Sequence, residues 1–161
     1  MKKSEAQIVL RNPVHILSFG FGSGLSPVAP GTMGTIIAIP IFLILANFSP
    51  VLYLLFVTIT FVVGCWSSAL TAKALNVHDH PGIVIDEIVG YLITMLFVPV
   101  TWYWILLGFL LFRLFDIWKP WPISIADKKL KGGFGIMFDD VLAALYSLLS
   151  LHIVIWSVKF L

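Results

Sequence analysis

No charged residue interrupts positions 51–72 of this chain. A helix needs roughly 20 apolar residues to cross the hydrocarbon core of a bilayer, so this one run spans a membrane. Further apolar blocks cover residues 33–48, 83–117 and about 141–161. The block at 83–117 is too long for one crossing and carries Pro99 and Thr101 near its middle, so it divides into a hairpin, 83–98 and 102–117. Ser49-Pro50 supplies the turn between the first two spans. Composition agrees: 11% of the 161 residues are charged, against about a quarter in soluble domains. That excludes an ordinary soluble domain and a disordered chain, and the single Cys65 excludes a disulfide scaffold.

The expected fold is all-α: one polytopic membrane helical bundle over 1–161, with about five membrane-embedded helices. A short interfacial helix over 13–21 precedes them, with Asn12 as cap and Pro13 in the first turn. No segment reads as a removable signal peptide. Five spans with the N-terminus inside place every basic residue except Lys159 on the cytoplasmic side, a strong positive-inside bias. The acids Glu5, Asp79, Asp86, Glu87, Asp116, Asp127, Asp139 and Asp140 fall at the same face. Trp102, Tyr103 and Trp104 then sit at the outer interface.

Asp86-Glu87 sits within an otherwise apolar helix, where each charge costs roughly 2.5–3.5 kcal/mol near the membrane centre. Such a pair is answered either by Lys or Arg at the interface or by a metal or phosphate. Gly90, one turn on, leaves room for another helix. Arg113 and Asp116 share a helix face, with Lys119 following. They form either a local ion pair or a mixed site, the acid on a metal and the bases on phosphate oxygens. Asp139-Asp140 opens the last helix after a Gly-Gly-Phe-Gly loop. Either Asp alone reads as a cap, but the pair beside the other inner-face acids suits a hard ion such as Mg²⁺. The glycine-rich stretch 20–35 offers free N–H groups to an anion, or is an interfacial loop; it is not a Walker loop. His78 and His80 flank Asp79 in a segment that reads either as a metal site or, with the greater weight, as a solvated loop. Thiolate, Asp-x-Asp and histidine-nucleophile phosphatase motifs are absent, which leaves carboxylates suited to metal-activated water.

Four segments together resemble the bacterial phosphatidylglycerophosphatase A family. They are Gly20-Phe21-Gly22-Ser23-Gly24 with Ala29-Pro30-Gly31-Thr32; Ile85-Asp86-Glu87-Ile88-Val89-Gly90; Phe112-Arg113-Leu114-Phe115-Asp116 with Lys119-Pro120; and Gly132-Gly133-Phe134-Gly135 with Asp139-Asp140. They run in the family's order from about Gly20 to Tyr146. Ala144 stands where a Gly is expected and Ile85 where a Trp is common; neither removes a charge. The resemblance implies a Mg²⁺-dependent phosphatase of the bacterial inner membrane. It would convert phosphatidylglycerophosphate to phosphatidylglycerol, with the active site facing the cytoplasm. On that basis Asp86, Glu87, Asp139 and Asp140 are the catalytic candidates, and with Asp116 the metal ligands. Arg113, Lys119, Thr32, Gly31 and Ser23 are the phosphate-binding candidates. General base and covalent carboxylate nucleophile both remain open. The expected partners are the lipid and the membrane, with no nucleic acid and no obligate protein. The rival is a small ion transporter using the same acids. Transport sites usually lie near the midplane, whereas these acids lie toward one face. The CDP-alcohol transferase signature is absent.

Overall fold

The structure, a computed structural model, describes residues 3–159; Lys2, counted among the inner-face bases, lies outside them. Eight α-helices and no strand occur among the described residues. Two short helices, α1 (Lys3–Leu10) and α2 (Pro13–Ser18), lead through a kinked turn at Gly20–Leu25 into α3 (Pro30–Leu45). Then come α4 (Pro50–Ala74), α5 (Ile85–Thr94), α6 (Trp102–Trp118), α7 (Ile123–Lys129) and α8 (Gly132–Val158). The local signals act as expected at two starts. Asn12 Oδ1 accepts the Val14 N–H at 3.0 Å to begin α2, and Ser49 with Pro50 begins α4.

Among the described residues two helices, α4 and α8, are long and apolar enough to cross a membrane, and five full-length spans are not seen. The clearest departure is α5. Its ten residues rise about 15 Å, half a hydrocarbon core. The apolar pattern continues to Val98, but Phe97 adopts a left-handed φ of 60° and Pro99 disfavours helix in the residue before it. Hydropathy cannot register either constraint. The second departure is α8, which starts at Gly132 and not near Val141. The Gly-Gly-Phe-Gly segment is therefore helical, and Asp139-Asp140 lies two turns inside the helix, where it caps nothing.

Helix α5 forms the centre. Ile88, Val89, Tyr91 and Leu92 are buried, and the helix packs against α3, α4, α6 and α8. A helix ending inside protein must satisfy its last carbonyls. Here the Tyr53 hydroxyl from α4 donates to the Leu92 carbonyl at 2.8 Å, and Tyr91 reaches the Ile105 carbonyl on α6 at 3.1 Å. Tyr53→Phe is expected to cost about 1–2 kcal/mol, read as a lower melting temperature in detergent, because the Leu92 carbonyl is left unpaired. Small residues set the closest approaches. A Cβ at Gly133 would strike the Cys65 carbonyl on α4, and one at Gly90 would meet the Phe112 ring of α6 at 2.5 Å.

The outer surface is apolar. Leu106, Leu110 and Leu114 on α6 and Leu145, Leu149 and Ile153 on α8 form exposed stripes at four-residue spacing. Continuous patches of this kind are rare on soluble monomers. At one end of the bundle, the α3–α4 turn and the α5–α6 link share an apolar cavity lined by Phe42, Phe48, Phe97 and Val98. At the other end lie the starts of α3, α5 and α8 and the last turn of α6, and the charged residues gather there.

Candidate functional site

A cavity of about 360 Å³ opens at that end. Its wall comes from the start of α3 (Ala29, Pro30, Gly31), the loop before α5 (Asp79, His80), the first turn of α5 (Asp86, Glu87), the end of α6 (Arg113, Asp116, Lys119) and α8 (Asp139, Asp140). Four sequence segments far apart in the chain thus meet in one chamber. Six carboxylates face two cationic side chains there.

One oxygen each of Asp86, Glu87 and Asp140 lies within 4.8 Å of the others. Asp140 is 3% exposed, and its Oδ2, like Glu87 Oε2, has no hydrogen-bond donor. Buried carboxylate oxygens left so are costly. Converging carboxylate oxygens are the chemistry a hard divalent cation seeks, so the residues fit such an ion.

Asp116 and Asp139 are occupied otherwise. Arg113 Nη1 donates to Asp116 Oδ2 at 2.5 Å and stands 3.6 Å from Glu87 Oε1. Its buried Nε–H has no acceptor. The site therefore holds an orphaned cationic donor beside orphaned anionic acceptors, which suits a phosphate and a metal side by side. Lys119 Nζ reaches Asp139 Oδ2 at 2.5 Å and Asp127 Oδ1 at 2.7 Å. Burial alone would lower its pKa; the two carboxylates more than reverse this and hold the ammonium protonated.

Lys119 also ends α6 in a left-handed conformation, φ 45°, ψ 57°. That costs a non-glycine residue about 1–2 kcal/mol, a cost of the kind that persists at functional sites. The turn aims the side chain back at α7 and α8. Lys119→Ala and Lys119→Gly both lose the ion pairs, but only Gly relieves the backbone. Lys119→Gly is expected to be the more stable of the two by about 1 kcal/mol, as judged by thermal unfolding.

Gly31 lines the cavity, and a Cβ there would collide with Glu87 Oε1. Thr32 and Ser23 do not line it; the Ser23 hydroxyl instead donates to the Gly20 carbonyl at 2.9 Å. Sequence reasoning set Asp79 and His80 aside as a solvated loop, yet they line the wall, and it assigned no role to Asp127, which pairs with Lys119. His80 is fixed rather than loose: the Gly82 N–H donates to its Nδ1 at 3.0 Å, and its ring lies against Phe19. The signal was the sequence His78-Asp79-His80 just before the acidic helix. His15 has a packing role, with its Nδ1 2.9 Å from Thr71 Oγ1, which docks α2 on α4.

Fold and cavity together define an all-helical protein, over the described residues, with an apolar exterior and a charged chamber at one end, a design suited to a phosphate-bearing amphiphile. Residues 16–155 match the family described as Phosphatidylglycerophosphatase A. A protein of that name from Escherichia coli (strain K12) is 43% identical over 145 residues, covering 89% of this chain and 84% of the relative. Another of that name from Haemophilus influenzae is 45% identical over 156 residues, covering 96% and 93%. A Bacteroides thetaiotaomicron protein, provisionally named a phosphatidylinositol-3-phosphatase, is 38% identical over 151 residues, covering 89% and 94%. No solved structure gives a significant match. The chain belongs to the phosphatidylglycerophosphatase A family and is a phosphatase.

Proposed function

We propose that this protein hydrolyses the terminal phosphate of phosphatidylglycerophosphate, giving phosphatidylglycerol, with a divalent cation, Mg²⁺ by its oxygen-only donors, held by Asp86, Glu87 and Asp140. The observation that carries this reading is the pairing of unsatisfied carboxylate oxygens with the unsatisfied Arg113 Nε–H in one buried wall. An ion bound there supplies charge neutralisation and a nucleophile at neutral pH. Arg113 binds a phosphate oxygen through its free Nε–H while Nη1 stays on Asp116, which fixes the guanidinium plane. Lys119 adds a second positive charge beside Asp139. Gly31 leaves the space that Glu87 fills. The neighbouring apolar surface at Ile117 and Trp118 keeps acyl chains in lipid while the head group reaches the chamber.

The same reading places the chain as a multi-pass protein of the bacterial cytoplasmic membrane. Helices α3, α4, α6 and α8 cross, and α5 with its 95–101 link completes a fifth passage as a buried half-helix. Arg11, Lys73, Lys128, Lys129 and Lys131 cluster in sequence around the helix ends at the cavity side, which supports a cytoplasmic orientation for N-terminus and chamber.

The test presents the purified protein in mixed micelles with phosphatidylglycerophosphate, phosphatidate and phosphatidylinositol 3-phosphate in parallel. Phosphate release fastest from the first is expected. Faster release from either of the others would reassign the substrate.

A further inference from the structure

A lysine ammonium has three N–H groups. Lys119 gives one to Asp139 Oδ2 at 2.5 Å and one to Asp127 Oδ1 at 2.7 Å. At a tetrahedral nitrogen, those two directions and the Nζ–Cε bond fix where the last N–H points. Lys119 and Asp139 both line the chamber, whereas Asp127 stands outside its wall. The two carboxylates therefore differ in what they can do. Asp139 faces the reacting groups, while Asp127 acts on the chamber through the lysine.

Asp127 has a firm platform. It lies on α7, whose Ile123 and Ala126 are buried at helical spacing and which packs against α8. The Tyr146 hydroxyl of α8 donates to the Trp121 carbonyl at 3.1 Å and ties down the link that leads into α7. Lys119 is the opposite, a flexible four-carbon stem with a point charge at its tip. Its left-handed backbone directs the stem, but one carboxylate contact would leave the tip free to swing. Two carboxylates around one ammonium also leave little net charge to draw a phosphate from a distance. What the pairing adds is direction.

We infer that Asp127 is a positioning residue for the reaction: with Asp139 it aims the remaining Lys119 N–H at an oxygen of the lipid phosphate. The inference rests on the reading of Lys119 as a phosphate ligand. It gives the short helix between α6 and α8 a task, to carry a carboxylate to the back of the lysine.

The experiment measures kcat and KM for phosphate release from phosphatidylglycerophosphate in mixed micelles. It compares the natural protein, Asp127→Ala, Asp127→Asn, Lys119→Met and the double variant of Lys119→Met with Asp127→Ala. Asp127→Ala should lower kcat/KM about tenfold or more, because a small misplacement of a binding group is costly. Asp127→Asn still offers an oxygen to the ammonium and should lose less. In the Lys119→Met background, Asp127→Ala should change kcat/KM by less than about twofold, since a residue that acts through another has nothing left to act on. A residue that merely docks α7 would cost the same factor in both backgrounds. Unchanged kcat/KM in Asp127→Ala, or a loss that persists beside Lys119→Met, overturns the role of Asp127 and leaves the phosphatase reading standing. No phosphate release by the natural protein overturns that reading and the inference with it.

Discussion

Replacing Asp140 by Asn is expected to abolish turnover while raising the melting temperature of the cation-free protein. Asp140 is nearly fully buried and its oxygen converges with those of Asp86 and Glu87. Groups that merely orient a metal's ligands cost 10–100-fold when removed, so loss of a ligand should lower phosphate release by more than about 100-fold. Stability runs the other way. Without a cation the three carboxylates repel; two unit charges at about 4 Å interact by ~4 kcal/mol at an effective dielectric of 20. Asn keeps the shape and removes one of these charges. A gain of even 1 kcal/mol raises the melting temperature by roughly 2–4 °C in a chain of this size. Saturating Mg²⁺ should then stabilise the natural protein but not the variant. An Asp140→Asn protein that melts lower than the natural one without cation would show that the carboxylate makes a structural contact instead.

The second large effect is expected from the smallest change. Gly31→Ala adds one methyl group at the start of α3, where its carbon meets Glu87 Oε1 and comes within 3.1 Å of Arg113 Nη1. The backbone there is helical, and Ala is the better helix former by up to about 1 kcal/mol. The fold should therefore hold. The carboxylate must move, and with it one of the three converging oxygens. Turnover is expected to fall about 10–100-fold, with weaker cation binding and a melting temperature within a few degrees of the natural protein. Unchanged turnover would place Glu87 outside the chemistry.

The charged segments were legible in the sequence because charge in an apolar helix is costly and demands a partner. Asp86, Glu87, Arg113, Asp116, Lys119, Asp139 and Asp140 all line the chamber. Their division of labour was not legible. That Asp116 answers Arg113 and Asp139 answers Lys119, leaving Asp86, Glu87 and Asp140 to converge, depends on how α5, α6 and α8 rotate against one another. Helix lengths misled for a related reason. Apolar content at 83–98 fixed burial, not helicity, and the left-handed Phe97 and Pro99 end α5 early. At the other extreme, Asp139-Asp140 resembled a helix start because glycines precede it. One of them, Gly133, serves close packing of α8 on α4 at Cys65, and the helix runs on from there through the Asp pair. Asp79 was passed over because loop acids are ordinarily solvated, and Asp127 because its partner lies eight residues away across the α6–α7 turn; only the fold brings Asp127 onto Lys119 and Asp79 into the wall beside Asp139.

The central claim is that the converging carboxylates bind a divalent cation required for release of phosphate from a lipid head group. Its most direct measurement is phosphate release from phosphatidylglycerophosphate by chelator-treated protein, with Mg²⁺ then restored and Asp140→Asn assayed alongside. Activity that vanishes with the chelator, returns with Mg²⁺ in the natural protein and never returns in Asp140→Asn is the expected result. Undiminished release in the presence of chelator, or full activity of Asp140→Asn, would contradict it.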